Sequence, residues 1–266
     1  MNLFKKDFKY NFRSLLIWSI IIFSFSLLYI PFTEKILSDS GQMVKMLNKL
    51  PKIFLKSFNI DTESFSTPEG FFGSEGMSFI FILTGLFSAT LSGSLFAKEF
   101  ENKTIEYLLI KPFSRVKIFI QKYLVLISNI IILNLIFNFS TLYLFSVFVS
   151  SEYDKNILLG FGLYVFTVEL FFGALGVLFS ILFQKSNLTT TLSLGILFIM
   201  YFGETTVSEI KSIEPLAKLS IFHYMPLIET VKNHKIYLNN SIVIILISFI
   251  IMYISLKIFE KKNILI

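Results

Sequence analysis

Hydrophobic residues along the chain fall into six long blocks with few charges, and polar residues separate these blocks. The blocks lie at residues 14–32, 77–97, 120–149, 157–183, 188–206 and 240–258. A helix of about 20 apolar residues spans the roughly 30 Å hydrocarbon core of a bilayer, where it satisfies its own backbone hydrogen bonds. We therefore predict an all-α integral membrane protein, in which residues 1–266 form a single transmembrane domain of six transmembrane helices.

The distribution of charge along the chain predicts its orientation. The net charge is +6, and 16% of the residues are charged. Lys and Arg are denser in the first, third, fifth and last polar segments than in the others, and cytoplasmic segments are enriched in these residues. We predict a multi-pass protein with both termini in the cytoplasm. The positive charge is then explained by Lys and Arg residues that flank the spans at the membrane surface. No nucleic-acid partner is predicted.

Several kinds of chemistry are excluded by residues that the sequence lacks. The chain contains no cysteine, which excludes disulfides, thiolate metal sites and a catalytic thiol. His223 and His234 match no metal-binding spacing, and no Gly-x-x-x-x-Gly-Lys-(Ser/Thr) phosphate-binding loop occurs. We therefore predict no catalytic residue, no metal site and no cofactor in this chain, which is not an enzyme by itself.

The N-terminal segment 1–13 has the pattern of a short amphipathic helix. Phe4, Phe8 and Phe12 recur every four residues, and basic residues take the other faces. Such a helix lies in the membrane interface, with its aromatic side chains among the acyl chains and its bases at anionic headgroups. We predict an interfacial elbow helix, which serves either as a membrane anchor or also as a contact for a cytoplasmic partner.

The polar segment 98–118, between the second and third spans, predicts a short helix close under the membrane. Alternating charges lead into an apolar cluster at 105–110. Pro112 ends the helix, because it lacks an N–H and disfavours helix at the residue before it, and Ser114 is a suitable N-cap for the next helix. This shape suits insertion into a groove of a partner protein, although an ordinary charged loop also fits the pattern.

The same segment resembles the coupling helix of type-2 ABC transporter permeases. The residues that carry the resemblance are Glu99, Glu101, Thr104, Glu106, Leu108, Leu109, Pro112, Ser114 and Arg115, and segments 50–58 and 65–76 resemble a bacterial branch of that family. Asn102 and Lys103 depart from the family pattern, in which Gly is common nearby.

The resemblance implies a subunit arrangement as well as a fold. Two permease copies, or this chain and a paralogue, would pair with a dimer of cytoplasmic ABC ATPase subunits in a bacterial plasma membrane. ATP and Mg would be bound by that partner, and the nine residues named above would couple its motion to the spans. The expected function is export of a hydrophobic or amphipathic substrate, such as a peptide, an antibiotic or a lipid.

The outer loop 33–76 contains a second amphipathic stretch. Its apolar residues follow helical spacing and include Phe54 and Phe58, whereas the opposite face carries Lys45, Lys49, Lys52 and Lys56. This stretch is either an interfacial helix on the outer leaflet or a lid over an exit path. A second outer loop, 207–239, contains no chemistry that we can name.

Glu169 lies near the middle of the fourth predicted span. An intramembrane carboxyl costs about 2.5–3.5 kcal/mol on insertion scales and is a functional candidate by default. Either it is a protonated group that helps helix packing, or it belongs to a substrate path. The possible hydrogen-bond partners lie in the third span and are Asn129, Asn134, Asn138 and Thr141. A secondary transporter or channel that uses Glu169 is the alternative function.

Small residues form faces on the second and fourth spans. The second span has Gly85, Ser88, Ala89, Ser92, Gly93 and Ala97, and the fourth has Gly160, Gly162, Gly173, Ala174 and Gly176. Small residues allow membrane helices to approach closely. We therefore predict that these two spans are packed against other helices.

Overall fold

The computed structural model describes residues 3–38, 67–109, 113–207 and 217–262, and every regular element in these ranges is helical. In chain order we label the helices α1 (Leu3–Ser38), α2 (Pro68–Glu101), α3 (Thr104–Leu109), α4 (Arg115–Phe148), α5 (Lys155–Phe183), α6 (Ser186–Val207), α7 (Leu227–Lys232) and α8 (Leu238–Lys261). A 3-10 turn at Phe222–Tyr224 precedes α7. Six of these helices are long and apolar enough to cross a membrane, which confirms the predicted all-α membrane fold.

Helices α5 and α2 form the centre of the bundle. In their most apolar stretches 72% and 67% of the residues are buried, compared with 22–39% in the other four long helices. Helix α2 packs on α5, which also contacts α4, α6 and α8, and α1 packs mainly on α4. The outer helices expose apolar side chains, as lipid-facing helices do, because lipid tails are as apolar as those side chains.

Small residues allow this close packing, as the sequence predicted. A Cβ atom added to Gly176 of α5 would lie 2.8 Å from Cβ of Ser92 in α2. A Cβ on Gly162 would overlap the Asn138 side chain of α4, and one on Gly85 of α2 would overlap Leu197 of α6. The hydroxyl of Ser92 donates to the backbone carbonyl of Gly173 at 2.9 Å, which joins α2 directly to α5.

Helix α2 is interrupted by two π-helical turns, Phe72–Gly76 and Gly93–Ala97. Its first turn is capped by Thr67, whose side chain accepts from the Gly70 N–H at 3.1 Å, and Pro68 occupies an early position at which its missing N–H is tolerated. A π turn inserts an extra residue and shifts the faces of the helix on either side of it. The second π turn directly precedes the 98–118 segment.

The helices are longer than predicted, so three boundaries change. Residues 3–13 are not a separate interfacial helix but the first turns of α1, because nothing between Arg13 and Ser14 breaks the helix. The outer loop 33–76 shrinks at both ends, since α1 continues to Ser38 and the Thr67 cap starts α2 at Pro68. The loop 207–239 contains α7 and the 3-10 turn.

Part of the predicted outer loop lies outside the described residues. This applies to the whole amphipathic stretch, with Lys45, Lys49, Lys52, Phe54, Lys56 and Phe58. The lid therefore stays a prediction.

Candidate functional site

The helix ends fall into two groups at opposite ends of the bundle. The end that contains Leu3, Glu101, Arg115, Phe183, Ser186 and Lys261 is called the coupling end here, and the opposite end is called the far end. The 98–118 segment belongs to the coupling end.

A buried cation connects three helices at the coupling end. Lys122 of α4 places its Nζ atom 2.9 Å from Asp7 Oδ2 of α1 and 3.0 Å from Glu99 Oε1 of α2. Only 2% of the Lys122 side chain is exposed. A buried ammonium requires paired carboxylates, because its desolvation costs several kcal/mol. We call Asp7, Lys122 and Glu99 the ion triad.

Glu99 also contacts the start of helix α3, the predicted coupling helix. Its second carboxylate oxygen, Oε2, accepts a short hydrogen bond from the Thr104 hydroxyl, and that hydroxyl also lies 3.3 Å from the Glu99 backbone carbonyl. One carboxylate therefore connects α3 to the ion triad. On the inner side of α3, Ile105 and Leu108 are buried in the hydrophobic core.

The turn between α2 and α3 explains why glycine suits this region. Lys103 has a φ of +57°, in the left-handed region, which is unfavourable for residues with a Cβ. Its N–H donates to the Phe100 carbonyl at 3.0 Å, and the Asn102 N–H donates to the Lys98 carbonyl at 2.9 Å. Lys103, one of the two residues that depart from the family pattern, thus has a backbone conformation that favours glycine.

Glu101 and Arg115 make further contacts from the two ends of the segment. Glu101 Oε2 accepts from the Ser186 N–H at 3.2 Å, at the N-terminus of α6, where a negative charge is favourable. Arg115 donates to the backbone carbonyls of Glu260 at 3.1 Å and Lys262 at 2.6 Å, at the end of α8. Ser114 caps α4 as predicted, since its hydroxyl accepts from the Lys117 N–H at 3.2 Å.

Lys262 continues this series of contacts toward α5. Its ammonium donates to the backbone carbonyls of Ile181 and Leu182, and the second contact measures 3.3 Å. Burial lowers the pKa of this ammonium. The last carbonyls of a helix have no partner within it, and a nearby lysine can donate to them. Lys262 does this for the end of α5.

Most of the predicted coupling residues have contacts within this chain, and two of them, Glu101 and Thr104, are exposed as well. Glu99, Glu101, Thr104, Leu108, Ser114 and Arg115 all contact the bundle of this chain. Leu108 is only 6% exposed, so its side chain faces inward and not toward a partner. Glu106 is half-buried, whereas Glu101, Asn102, Lys103 and Thr104 are exposed. The Leu109 side chain and Pro112 lie outside the part of the chain that the structure describes.

Glu169 is fully buried, and the predicted partners do not bind it. Among the described residues neither carboxyl oxygen has a hydrogen-bond partner. The side-chain N–H groups of the candidate asparagines donate to other acceptors: Asn129 to the Val125 carbonyl, Asn134 to the Gly162 carbonyl, and Asn138 to Asn134. The hydroxyl of Thr141 also lacks a partner in this part of the chain. The four side chains named from sequence as possible partners therefore form no hydrogen bond with Glu169 in the described part of the chain.

Sequence reasoning missed the half of the site that lies outside the 98–118 segment. Asp7, Asn11 and Lys122 are buried, and Ser94 donates to Asn11 Oδ1 at 2.9 Å. One signal was present. Residues Leu3, Asp7, Asn11 and Leu15 follow a four-residue spacing and form the buried stripe of α1, but the Phe and Lys pattern drew attention to the other faces.

The comparisons with known proteins agree with this architecture. The family model described as "ABC-2 family transporter protein" matches residues 1–263, which is almost the entire chain. The chain belongs to the ABC-2 transporter family. This ABC-2 protein is thus a membrane permease component of an ABC transporter and not an enzyme by itself. A search of curated proteins finds no match to it.

Proposed function

We propose that this ABC-2 protein is the membrane permease subunit of an ATP-driven exporter. It moves a hydrophobic or amphipathic substrate, such as a peptide, an antibiotic or a lipid, out of the cell. A separate pair of ABC ATPase subunits binds ATP and Mg, and a second permease copy or paralogue completes the assembly. Family membership supports the ATPase partner, and the absence of a phosphate-binding loop from the sequence agrees with it.

The observation that carries the proposal is the double anchoring of the coupling segment. On one side Glu99 connects α3 to the ion triad, and therefore to α1 and α4. On the other side Arg115 holds the end of α8. A movement of α3 caused by a partner would thus be transmitted to several spans through these polar contacts. The contacts of Lys122 and Arg115 are charge-assisted, which strengthens them, and the one between Lys122 and Asp7 is buried as well.

The outward surface of the coupling segment is the proposed ATPase contact. It consists of the exposed turn from Glu101 to Thr104 and the half-buried Glu106. Leu109 and Pro112 belong to the same proposed contact. Glu99, Thr104 and Arg115 act mainly as positioning residues, since their polar groups are already bonded within the chain.

The proposed location is a bacterial plasma membrane with the coupling end in the cytoplasm. Both described termini, Leu3 and Lys262, lie at the coupling end. Six spans return the chain to the side on which it started. ATPase subunits are cytoplasmic, so the coupling segment has to face that side.

Glu169 is proposed as a polar element of the substrate path. Within the described residues its carboxyl oxygens have no hydrogen-bond partner, which supports this role, because a fully buried polar group without a partner is costly and its presence calls for a functional reason. The same observation favours the alternative function, a secondary transporter or channel that uses Glu169. In the exporter, the outer stretch with Lys45, Lys49, Lys52, Lys56, Phe54 and Phe58 is a proposed lid over the exit path.

A pull-down followed by an ATPase assay tests the proposal. The chain is extracted from its native membrane in mild detergent, and the associated ATPase activity is measured for the wild type and for Glu101→Ala/Glu106→Ala. Glu152→Ala/Lys155→Ala at the far end is the control, because both residues are exposed there. We expect an ABC ATPase to co-purify with the wild type and the control and to be reduced at least tenfold in the first variant. Purification of a folded chain without any ATPase would support the secondary transporter instead.

A further inference from the structure

A polar cavity of about 200 Å³ opens at the coupling end beside the ion triad. It lies between the first turns of α1, the end of α2 and the turn that leads into α3. A single water needs roughly 10–15 Å³ of such space. The cavity is therefore large enough for a phosphate-sized group together with several waters.

The charges around this cavity are not balanced. Three lysines and two acidic residues line it, which leaves a net charge of +1. Lys122 is already bonded to both Asp7 and Glu99. Lys6 and Lys98 are exposed, and neither ammonium forms an ion pair or a hydrogen bond within the described residues. Lys6 is attracted by Glu99, but both oxygens of that carboxylate are occupied by Lys122 and Thr104.

The position of the cavity along α1 matches the level of lipid headgroups. The exposed apolar side chain of Phe12 follows the exposed Tyr10, which lines the cavity, by two residues. Two residues of helix span roughly 3 Å. The headgroup layer begins at the edge of the hydrocarbon core and extends roughly 5–8 Å from it. Tyrosine is enriched at this interface.

We propose that this cavity binds the phosphate of an anionic phospholipid headgroup. The ammonium groups of Lys6 and Lys98 hold the phosphate oxygens, and Tyr10 and Asn102 supply further hydrogen-bond donors. The bound headgroup joins the start of α1 to the turn before α3. Two exposed lysines that form no ion pair or hydrogen bond among the described residues, beside a cavity at headgroup level, favour this ligand over a cationic or neutral one. The proposal does not rest on the proposed export function.

Titration of the purified chain with short-chain phosphatidylglycerol tests the site. Binding is followed by native mass spectrometry in 0.5 M ammonium acetate, which screens diffuse attraction between exposed charges. We expect Lys6→Gln/Lys98→Gln to weaken binding about 30-fold, because each lysine near an anionic headgroup contributes about fivefold. Lys6→Arg/Lys98→Arg keeps the charge, and we expect it to bind within about threefold of the wild type.

Lys5→Gln/Lys9→Gln is the matched control for this titration. It removes the same charge from exposed positions of α1 that do not line the cavity, and we expect its affinity to stay within twofold of the wild type. Equal weakening of both glutamine pairs would mean only diffuse attraction and would overturn the proposal. An unchanged affinity of Lys6→Gln/Lys98→Gln would also overturn it. Gel filtration and thermal unfolding confirm that each variant is folded.

Two further titrations distinguish a lipid from a free anion. Short-chain phosphatidylcholine has a phosphate but no net charge, and we expect it to bind at least tenfold more weakly than phosphatidylglycerol. Inorganic phosphate should displace phosphatidylglycerol only at concentrations at least 100-fold higher. Equal affinity for inorganic phosphate would assign the site to a free anion, and equal affinity for phosphatidylcholine would remove the selectivity for anionic lipid. Either result would overturn the assignment to an anionic headgroup.

Discussion

Lys122 shows how a single buried charge organises the coupling end. Its ammonium is bonded to carboxylates from two other helices, so each of the three groups compensates the desolvation of its neighbours. Glu169 represents the opposite case, because it is a fully buried carboxyl without any bonded partner among the described residues. Lys122 holds helices together, whereas Glu169 destabilises the folded state. Glu169 is therefore the better candidate for a functional residue.

Replacement of Lys122 by Met should strongly destabilise the protein. The change leaves Asp7 and Glu99 buried without their cation, and loss of one partner of a buried ion pair costs about 3–5 kcal/mol. Thermal unfolding in detergent should show a much lower midpoint for Lys122→Met and an almost unchanged one for the exposed Lys117→Met. In the triple variant Asp7→Asn/Glu99→Gln/Lys122→Met much of the loss should return. A wild-type midpoint for Lys122→Met alone would contradict the ion triad.

Replacement of Glu169 by Met should stabilise the protein but impair transport. Met has a similar length and removes a buried carboxyl that has no hydrogen-bond partner in the described part of the chain, and such groups cost about 1–3 kcal/mol. We expect a higher thermal midpoint for unfolding. We also expect cells with this variant to lose their resistance to the exported compound, while the ATPase still co-purifies. Thr167→Val, a nearby change on α5, serves as a control for general effects on this helix. A lower midpoint for Glu169→Met would mean that the carboxyl has a bonded partner.

Helix α2 shows how an element adapts to its neighbours. Its glycines and serines face α5 and α6 at close range, and its two π turns change the direction of its faces at both ends. The second π turn rotates the last α-helical turn, Lys98–Glu101, which carries two of the three acids of the 98–118 segment. Residues two apart point about 200° away from each other on a helix, so Glu99 and Glu101 bind different elements.

Two glycine substitutions should have opposite effects on stability. A Cβ at Gly176 would lie 2.8 Å from Cβ of Ser92, whereas a Cβ at Gly195 of α6 meets nothing within 4 Å. Gly176→Ala should therefore destabilise by about 1–3 kcal/mol through overpacking. Gly195→Ala should stabilise by up to about 1 kcal/mol through higher helix propensity. Thermal unfolding of both variants measures the difference, and equal effects would mean that α2 and α5 are not in close contact.

The whole molecule has two chemically different ends. The coupling end is crossed by contacts that connect α1, α2, α4, α5, α6 and α8 through charged side chains. At the far end the contacts include the Glu34 carboxylate with the Ser151 N–H at 2.6 Å and the Tyr164 hydroxyl with Thr230 at 2.9 Å. His223 and His234 lie there beside Glu204 and Asp154, each at 3.6 Å.

Cysteine labelling determines which end faces the cytoplasm. The natural chain contains no cysteine, so each introduced thiol is labelled without background. Lys103→Cys at the coupling end and Glu152→Cys at the far end are both exposed positions. In intact cells a membrane-impermeant maleimide should label Glu152→Cys, whereas Lys103→Cys should react only after permeabilisation. The reverse pattern would place the coupling segment outside the cell and exclude an ATPase contact there.

The sequence by itself determined the membrane class, the six spans, the Ser114 cap and the close-packed small faces. Each of these depends on local pattern: about 20 apolar residues, a capping residue before a helix, or Gly and Ser on one helical face. The family was also predicted from sequence, through the resemblance of the 98–118 segment, whereas the coupling role of that segment stays a prediction.

Only the tertiary structure decided what those residues contact. Asp7, Glu99 and Lys122 are up to 115 positions apart along the chain, and no local pattern shows that they meet. The same is true of Arg115 with the end of α8, and of Glu169, whose predicted asparagine partners are occupied elsewhere. Pairing between distant residues depends on how the helices rotate and pack. A single residue inserted by a π turn in α2 rotates the residues after it and so changes what they contact.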